Sequence, residues 1–137
     1  MIAVDSSVWI DYFRGTPTPE VALLDDLFGV EPITIPDLVL AEVLQGFSDD
    51  RAMATARDHL ALCTYLTVCD EALVFAAISN YRSLRAKGVT VRRTIDTLIA
   101  TRCILDELPL LYSDRDFDPF VAHLGLRSVA DRLPGVM

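Results

Sequence analysis

The chain has 137 residues, of which 52% are hydrophobic and 23% charged, and this balance excludes a disordered protein. A chain of this length suits one hydrophobic core, so residues 1–137 are expected to form a single domain. The net charge of −8 argues against nucleic-acid binding over the whole surface, because such binding depends on the neutralisation of phosphates.

The N-terminal half alternates short strand-like runs with helical patterns. Residues 1–4 predict a strand, and the spacing over residues 7–14 predicts a helix with Asp5 or Ser6 as its N-cap. Apolar spacing and turn residues then predict a helix at 20–28, a strand at 33–35, a helix at 37–47 and a helix at 49–62.

The C-terminal half continues the same alternation. It predicts a strand at 66–68, a helix at 71–86 that Gly88 stops, a helix from the cap Thr94 to about residue 106, a strand at 108–112 and a helix at 118–124. Strands that alternate with helices are typical of parallel sheets covered by helices on both faces. The sequence therefore predicts an α/β fold with a mainly parallel central sheet.

The cysteine content and the first residues indicate a cytoplasmic location. Cys63, Cys69 and Cys103 are odd in number and contain no CxxC pair, which favours a reducing compartment. The start MIAVDSSVWIDYF lacks the basic region of a signal peptide. No apolar run reaches the roughly 20 residues of a membrane span, so no membrane association is expected.

Four acidic residues are predicted to meet at one edge of the sheet. Asp5 and Asp114 each follow an apolar strand, and the carboxyl ends of parallel strands share an edge. Glu42 lies in the otherwise uncharged run LVLAEVL, and Asp96 lies at the start of a helix, where the helix dipole favours an anion. Each has a simpler explanation, as an N-cap, a first-turn acid, a turn residue or an amphipathic side chain.

The clustering of these acids points to a cation. Like charges in a shared site disfavour ionisation unless a cation lies between them. An oxygen-only ligand set without histidine or cysteine suits Mg²⁺, with Mn²⁺ as the other option, better than zinc or copper. A metal of this kind activates water and offsets charge on a phosphate, so the sequence predicts phosphodiester hydrolysis.

One segment of the acidic chain is basic. No acid occurs from Asn80 to Ile95, where the cationic residues are Arg82, Arg85, Lys87, Arg92 and Arg93. Arginine suits bidentate phosphate contact, so Arg92 and Arg93 are predicted to contact RNA phosphates. A solvated helix face and loop is the alternative interpretation of the same residues.

Four motifs together resemble the PIN domain, and within it the VapC-type ribonuclease toxins of toxin–antitoxin pairs. They are IAVDSSVWIDYF, PDLVLAEVLQGF, TVRRTIDTLIAT and LLYSDRDFDPFVAHLGLR, and in this order they cover nearly the whole chain. The resemblance implies a three-layer α/β/α PIN-like fold and a metal-dependent endoribonuclease. It assigns the four metal-site acids to Asp5, Glu42, Asp96 and Asp114, with Ser7 and Asp116 in supporting roles.

The resemblance also implies partners. It predicts an RNA substrate, a homodimer and a cognate antitoxin whose basic tail blocks the acidic site. The net charge of −8 favours the binding of such a basic tail as well as of a cation. Two positions differ from many relatives, which have threonine in place of Ser6 and a basic residue or histidine in place of Ser113. Neither difference removes a metal ligand, but both leave open how substrate is held around Asp114.

Two other functions fit parts of the sequence. A phospho-accepting receiver domain also has acids at strand ends, but it needs a lysine near a late strand, whereas the one lysine, Lys87, lies at a helix end. A non-catalytic binding module of the same fold is compatible with the composition. Within the nuclease hypothesis, cleavage of DNA also remains open, because metal chemistry at a phosphodiester does not itself distinguish the 2′-hydroxyl.

Overall fold

The computed structural model describes residues 1–133, so residues 134–137 of the predicted domain lie outside the described part. Four parallel strands form one sheet in the order β3-β2-β1-β4. The strands are β1 (Ile2–Val4), β2 (Ile33–Pro36), β3 (Thr64–Leu66) and β4 (Leu110–Leu111). The prediction of a parallel-sheet α/β fold is therefore confirmed.

In the described part of the chain, seven α-helices flank the sheet. They are α1 (Ser6–Arg14), α2 (Pro19–Leu27), α3 (Asp37–Gln45), α4 (Asp50–Leu60), α5 (Glu71–Ala86), α6 (Thr94–Leu105) and α7 (Asp118–Leu124), with short 3-10 turns at Arg115–Phe117 and Ala130–Arg132. Helix α1 packs on α2 and α3, whereas α5 packs on α6 and α7. Within residues 1–133, no helix has the length and apolar composition that a membrane crossing requires.

Strand β1 is central in the sheet and positions the first helix. All three of its residues are buried, and it pairs with β2 on one side and β4 on the other. Asp5 ends the strand as the N-cap of α1, where its side chain accepts a hydrogen bond from the Ser7 N–H. The helix ends at Gly15, whose φ of 72° is the left-handed conformation that glycine adopts without strain. Adjacent residues therefore fix the direction of the chain on both sides of Asp5.

Several predicted boundaries are wrong by one or more residues, and the strand predicted at 108–112 is confined to Leu110–Leu111. The third strand lies at Thr64–Leu66 rather than 66–68, because the Val68 N–H donates to Asp37 Oδ1 and the Val68 carbonyl accepts from Arg102. These groups cannot then join the ladder with β2. Thr94 does not cap α6 but is its first residue, and Arg93 occupies the N-cap position without a side-chain cap.

Candidate active site

The carboxyl ends of β1 and β4 bring the first two predicted acids to one edge. The two strands are neighbours, and the backbone N–H of Asp5 donates to the Leu111 carbonyl at 2.9 Å. Asp114 follows β4 after two residues and begins the 3-10 turn, where its Oδ1 accepts from the Asp116 N–H at 2.9 Å. This turn directs the chain from the end of the sheet back towards α6.

The most compact group of acids consists of Asp96, Asp114 and Asp116. One carboxylate oxygen from each lies within 4.8 Å of the others, and among residues 1–133 these three make the one metal-competent group. Asp96 is buried, whereas Asp114 and Asp116 are half-buried. Asp116, predicted only as a supporting residue, thus belongs to this group, whereas Asp5 and Glu42 do not.

Asp5 is the buried acid at the carboxyl end of β1. Its Oδ2 accepts from the Ser7 N–H at 3.1 Å and from Ser7 Oγ at 2.7 Å. Ser7 Oγ in turn accepts from the Ser113 N–H at 3.3 Å, which ties α1 to the segment after β4. The other oxygen, Asp5 Oδ1, is buried and has no hydrogen-bond partner among residues 1–133. Ser7 therefore holds one carboxylate oxygen of Asp5, and the other oxygen is buried without a hydrogen-bond partner in the described chain.

Burial raises the pKa of two carboxyl groups in the site. Desolvation raises the pKa of Asp5, which the hydrogen bonds from Ser7 partly offset and the charge of Glu42 increases. Desolvation also raises the pKa of Asp96, where Arg93 acts in the opposite direction and the charges of Asp5 and Asp114 add to the increase. The charge of Asp5 therefore contributes to the raised pKa of Asp96.

Arg93 lies among the acids. Its guanidinium binds Asp96 through two hydrogen bonds, Nε to Oδ2 at 3.2 Å and Nη2 to Oδ1 at 2.9 Å. It also donates from Nη1 to Glu42 Oε2 at 3.2 Å and lies 3.7 Å from Asp114 Oδ2. Although burial opposes it, these three carboxylates raise the pKa of Arg93 above its ordinary value.

Glu42 contacts the other acids through Arg93. It is half-buried on α3, where its Oε1 accepts from Ser6 Oγ at 3.2 Å. Because its Oε2 binds Arg93, the guanidinium links Glu42 to Asp96 across 54 residues of sequence. Arg93 therefore joins Glu42, Asp96 and Asp114, whereas Asp5 contacts Ser7 and is linked to the other acids only through the effect of charge on pKa.

These contacts separate Arg93 from the other residues of the predicted basic patch. Arg93 is engaged by the acids, and Arg92 Nε lies 4.0 Å from Asp116 Oδ1 with a side chain that is 79% exposed. Arg82 and Arg85 are exposed on α5. The placement of Arg93 among the acids was not predicted, although its spacing of three residues from Asp96 at a helix start was the available signal.

The donor set fits a hard divalent cation. The side chains in this cluster that can bind a metal are all carboxylates, which Mg²⁺ and Mn²⁺ prefer as ligands. The buried Asp5 Oδ1 is an oxygen that no group of the described chain satisfies, and such an atom costs folding free energy unless another partner binds it. The residues at this edge of the sheet can therefore hold a metal ion.

The sequence and fold of this chain have relatives among known proteins. The family model of the PIN domain matches residues 2–120. The chain belongs to the PIN domain family. This PIN domain is 32% identical over 135 residues to the ribonuclease VapC11 of Mycobacterium tuberculosis, an alignment that covers 96% of this chain and all of that protein. The predicted resemblance to VapC-type ribonucleases is thus confirmed.

Solved structures share the fold at lower identity. A toxin–antitoxin complex from Klebsiella pneumoniae aligns with a TM-score of 0.68 and 17% identity, covering 91% of this PIN domain and 94% of that chain. VapC20 of Mycobacterium tuberculosis, described as a toxin that cleaves the sarcin-ricin loop, aligns with a TM-score of 0.66 and 17% identity, covering 90% and 95% of the two chains. These similarities confirm the three-layer PIN-like fold.

Proposed function

We propose that residues 1–137 form one PIN-like nuclease domain, a Mg²⁺-dependent endoribonuclease that acts as the toxin of a type II toxin–antitoxin pair. The observation that carries the proposal is the group of buried and half-buried carboxylates at one edge of the sheet, together with the unpartnered oxygen of Asp5. It occurs in a chain similar over nearly its full length to a protein named ribonuclease VapC11. The reaction is hydrolysis of RNA phosphodiester bonds.

Each site residue has a role in this proposal. Asp5, Glu42, Asp96 and Asp114 hold the Mg²⁺ ion, which Mn²⁺ can replace, and Asp116 supports them from the 3-10 turn. When bound, the cation supplies Lewis acidity and positive charge at the phosphodiester. Ser7 fixes the orientation of Asp5 through its 2.7 Å hydrogen bond. Arg92 and Arg93 contact phosphates of the RNA.

Cleavage assays test the proposal directly. We expect purified protein to cut RNA in the presence of Mg²⁺, to lose this activity in EDTA and to recover it when Mg²⁺ or Mn²⁺ is restored. A single-stranded DNA of the same sequence is the matched control, since resistance of the DNA assigns the substrate as RNA. Cleavage that persists in EDTA contradicts the metal-dependent mechanism. Metal binding without cleavage of any RNA favours a non-catalytic PIN-fold module instead.

The proposed antitoxin has features that this chain can recognise. The net charge of −8 and the acidic site favour a basic tail. An apolar groove of about 250 Å³ begins one residue beyond Glu42, and its lining includes Ile10, Phe13, Val43 and Phe47. A partner segment with an apolar anchor and a following arginine fits this combination. We also propose a cytoplasmic location, which the three unpaired cysteines support.

The homodimer is proposed to form through α5. Four side chains on one face of this helix are large, apolar and exposed, namely Val74, Phe75, Ile78 and Tyr81. Helix α5 packs on α6 and α7 through its opposite face, which contains buried Leu73, Ala77 and Leu84. A surface stripe of this kind gains free energy when a second copy covers it.

Charge along the same stripe favours an antiparallel pair of helices. Glu71 lies at one end, whereas Arg82 and Arg85 lie on the same face at the other. A two-fold axis at Ile78 places Glu71 opposite Arg85 of the second copy and Phe75 opposite Tyr81. The helix face is therefore complementary to itself, as a two-fold interface requires.

Ile78→Glu is expected to convert the dimer to a monomer, because two carboxylates then meet on the axis in an apolar contact. Size-exclusion chromatography with light scattering measures the change. Val30→Glu, at a residue that is 81% exposed away from α5, is the matched control and should leave the dimer intact. Glu71→Arg or Arg85→Glu alone should weaken the dimer. The double variant, in which the two charges are exchanged, should restore dimer formation. A wild-type chain that is monomeric at high concentration contradicts the proposed interface.

A further inference from the structure

Arg93 uses the same carboxylate oxygens that a metal ion needs. Both oxygens of Asp96 accept hydrogen bonds from it, at 3.2 and 2.9 Å, and one oxygen of Glu42 accepts another at 3.2 Å. A third ion pair, to Asp114, is longer at 3.7 Å. Three of the four proposed ligands are thus paired with one internal cation.

The guanidinium and a divalent cation compete for these oxygens. A carboxylate oxygen that accepts an N–H donates electron density less readily to a metal, and two positive groups a few ångströms apart repel one another at low local dielectric. Bidentate pairing of arginine with a carboxylate is among the stronger hydrogen-bonded arrangements in proteins. The contact with Arg93 therefore opposes the binding of a metal at Asp96, and a bound metal favours displacement of the guanidinium.

The position of Arg93 allows this displacement. Its side chain is 47% exposed, whereas that of Asp96 is 1% exposed. Its backbone precedes the first residue of α6, so rotation of the side chain towards solvent leaves the helix in place. The buried carboxylate stays fixed while its cationic partner can move.

We infer that Arg93 is an internal counter-ion of the site, which stabilises the clustered acids and must be displaced from Asp96 and Glu42 for the divalent metal to bind. The inference rests on the proposed metal-dependent function and extends it to the control of metal affinity. It makes Arg93 a residue that raises the metal concentration at which the site fills. Once displaced, its exposed guanidinium is free to contact a phosphate of the substrate.

The test compares Mn²⁺ affinities of the full chain by isothermal titration calorimetry. We expect Arg93→Gln to bind Mn²⁺ at least about tenfold more tightly than the wild type, because removal of the competing charge leaves Asp96 and Glu42 free. Arg93→Lys keeps a charge without the bidentate geometry, so its affinity should lie between the two. Arg115→Gln is the matched control, since this side chain is 92% exposed and pairs with Asp118 outside the site.

Thermal unfolding gives a second readout. Without added metal, Arg93→Gln should unfold at a lower temperature than the wild type, because the acids lose their counter-ion. Saturating Mn²⁺ should then raise its unfolding temperature by more than that of the wild type. A purely structural role for Arg93 predicts the opposite for binding, namely weaker Mn²⁺ affinity in the variant.

The outcomes separate this inference from the proposed function. Equal Mn²⁺ affinities for wild type and Arg93→Gln overturn the role of Arg93 but leave the metal site intact. If neither protein binds Mn²⁺, the proposed metal-dependent function fails as well. If Arg93→Gln does not fold, Arg93→Lys decides the question, and an affinity equal to that of the wild type overturns the inference.

Discussion

Asp96→Asn is expected to reduce RNA cleavage in Mg²⁺ by at least about 100-fold, the order of loss that follows from damage to a metal site. Asp96 is buried, belongs to the compact group with Asp114 and Asp116, and pairs with Arg93. Asparagine preserves the size of the side chain but removes the charge that attracts the cation. Initial cleavage rates over a range of Mg²⁺ concentrations measure the loss.

The control for this substitution lies at the far end of the same helix. Asp106 follows the last residue of α6 and pairs with Arg102 at 3.2 Å, away from the acidic cluster. Asp106→Asn should leave the cleavage rate within about twofold of the wild type, because surface ion pairs contribute little. Unchanged activity in Asp96→Asn, with fold and stability maintained, eliminates the proposed catalytic site.

Asp5→Asn is expected to stabilise the protein in EDTA while it abolishes cleavage in Mg²⁺. Asp5 is 1% exposed, and its Oδ1 has no hydrogen-bond partner among residues 1–133. Removal of this buried charge should raise the free energy of unfolding, because desolvation of an ionised carboxylate costs more than desolvation of a neutral amide. Urea unfolding monitored through Trp9 fluorescence measures the gain.

The pH dependence of this gain has a definite sign. Burial raises the folded-state pKa of Asp5 above its ordinary value of 3.8, so the ionised form destabilises the folded state at neutral pH. As pH falls through the raised pKa, the folded protein binds a proton first and the penalty disappears, with full relief below about 3.8. The stability difference between Asp5→Asn and wild type should therefore shrink as the solution is acidified.

Two results contradict this account of Asp5. A variant that is less stable than the wild type at neutral pH in EDTA shows that the carboxylate is satisfied in the folded protein. A stability difference that stays constant down to pH 4 shows that Asp5 does not titrate with a raised pKa. Ser7→Ala provides a related comparison, since loss of the 2.7 Å hydrogen bond to Asp5 should raise that pKa further.

Local sequence determined much of the fold. The apolar run before Asp5, the capping geometry of this residue and Gly15 at the end of α1 are all properties of adjacent residues. They predict a strand, a sharp turn and a helix without reference to the remainder of the chain. Regular repetition of such units was enough to predict a parallel sheet, because strands that are joined by helices return in the same direction.

The location of two of the acids can also be predicted from the sequence alone, because each follows the end of a strand. Asp5 and Asp114 are predicted at one edge because neighbouring parallel strands end on the same side, and β1 does pair with β4. The assignment of Glu42 and Asp96 to the same site combines their apolar surroundings with the family resemblance. The catalytic and metal-binding roles of all four residues remain predictions.

Only the tertiary structure decided the contacts between distant segments. The end of β3 depends on Val68, whose backbone groups bind Asp37 and Arg102 from 31 and 34 residues away. The hydrogen bond from Ser113 to Ser7 spans 106 residues. Sequence patterns do not register such competition for backbone and side-chain partners, because it arises from packing between elements rather than from periodicity within one.

Arg93 is the clearest example of the difference between what the sequence determines and what only the tertiary structure decides. Sequence alone determined that it is a cation one helical turn before Asp96, and composition placed it in a basic segment. Its contact with Glu42, 51 residues away, follows only when α3 and α6 are packed together. The sequence thus determined which acids could meet at the sheet edge, whereas the fold decided which cation lies among them, because burial brings charge into contact with whatever partner packing supplies.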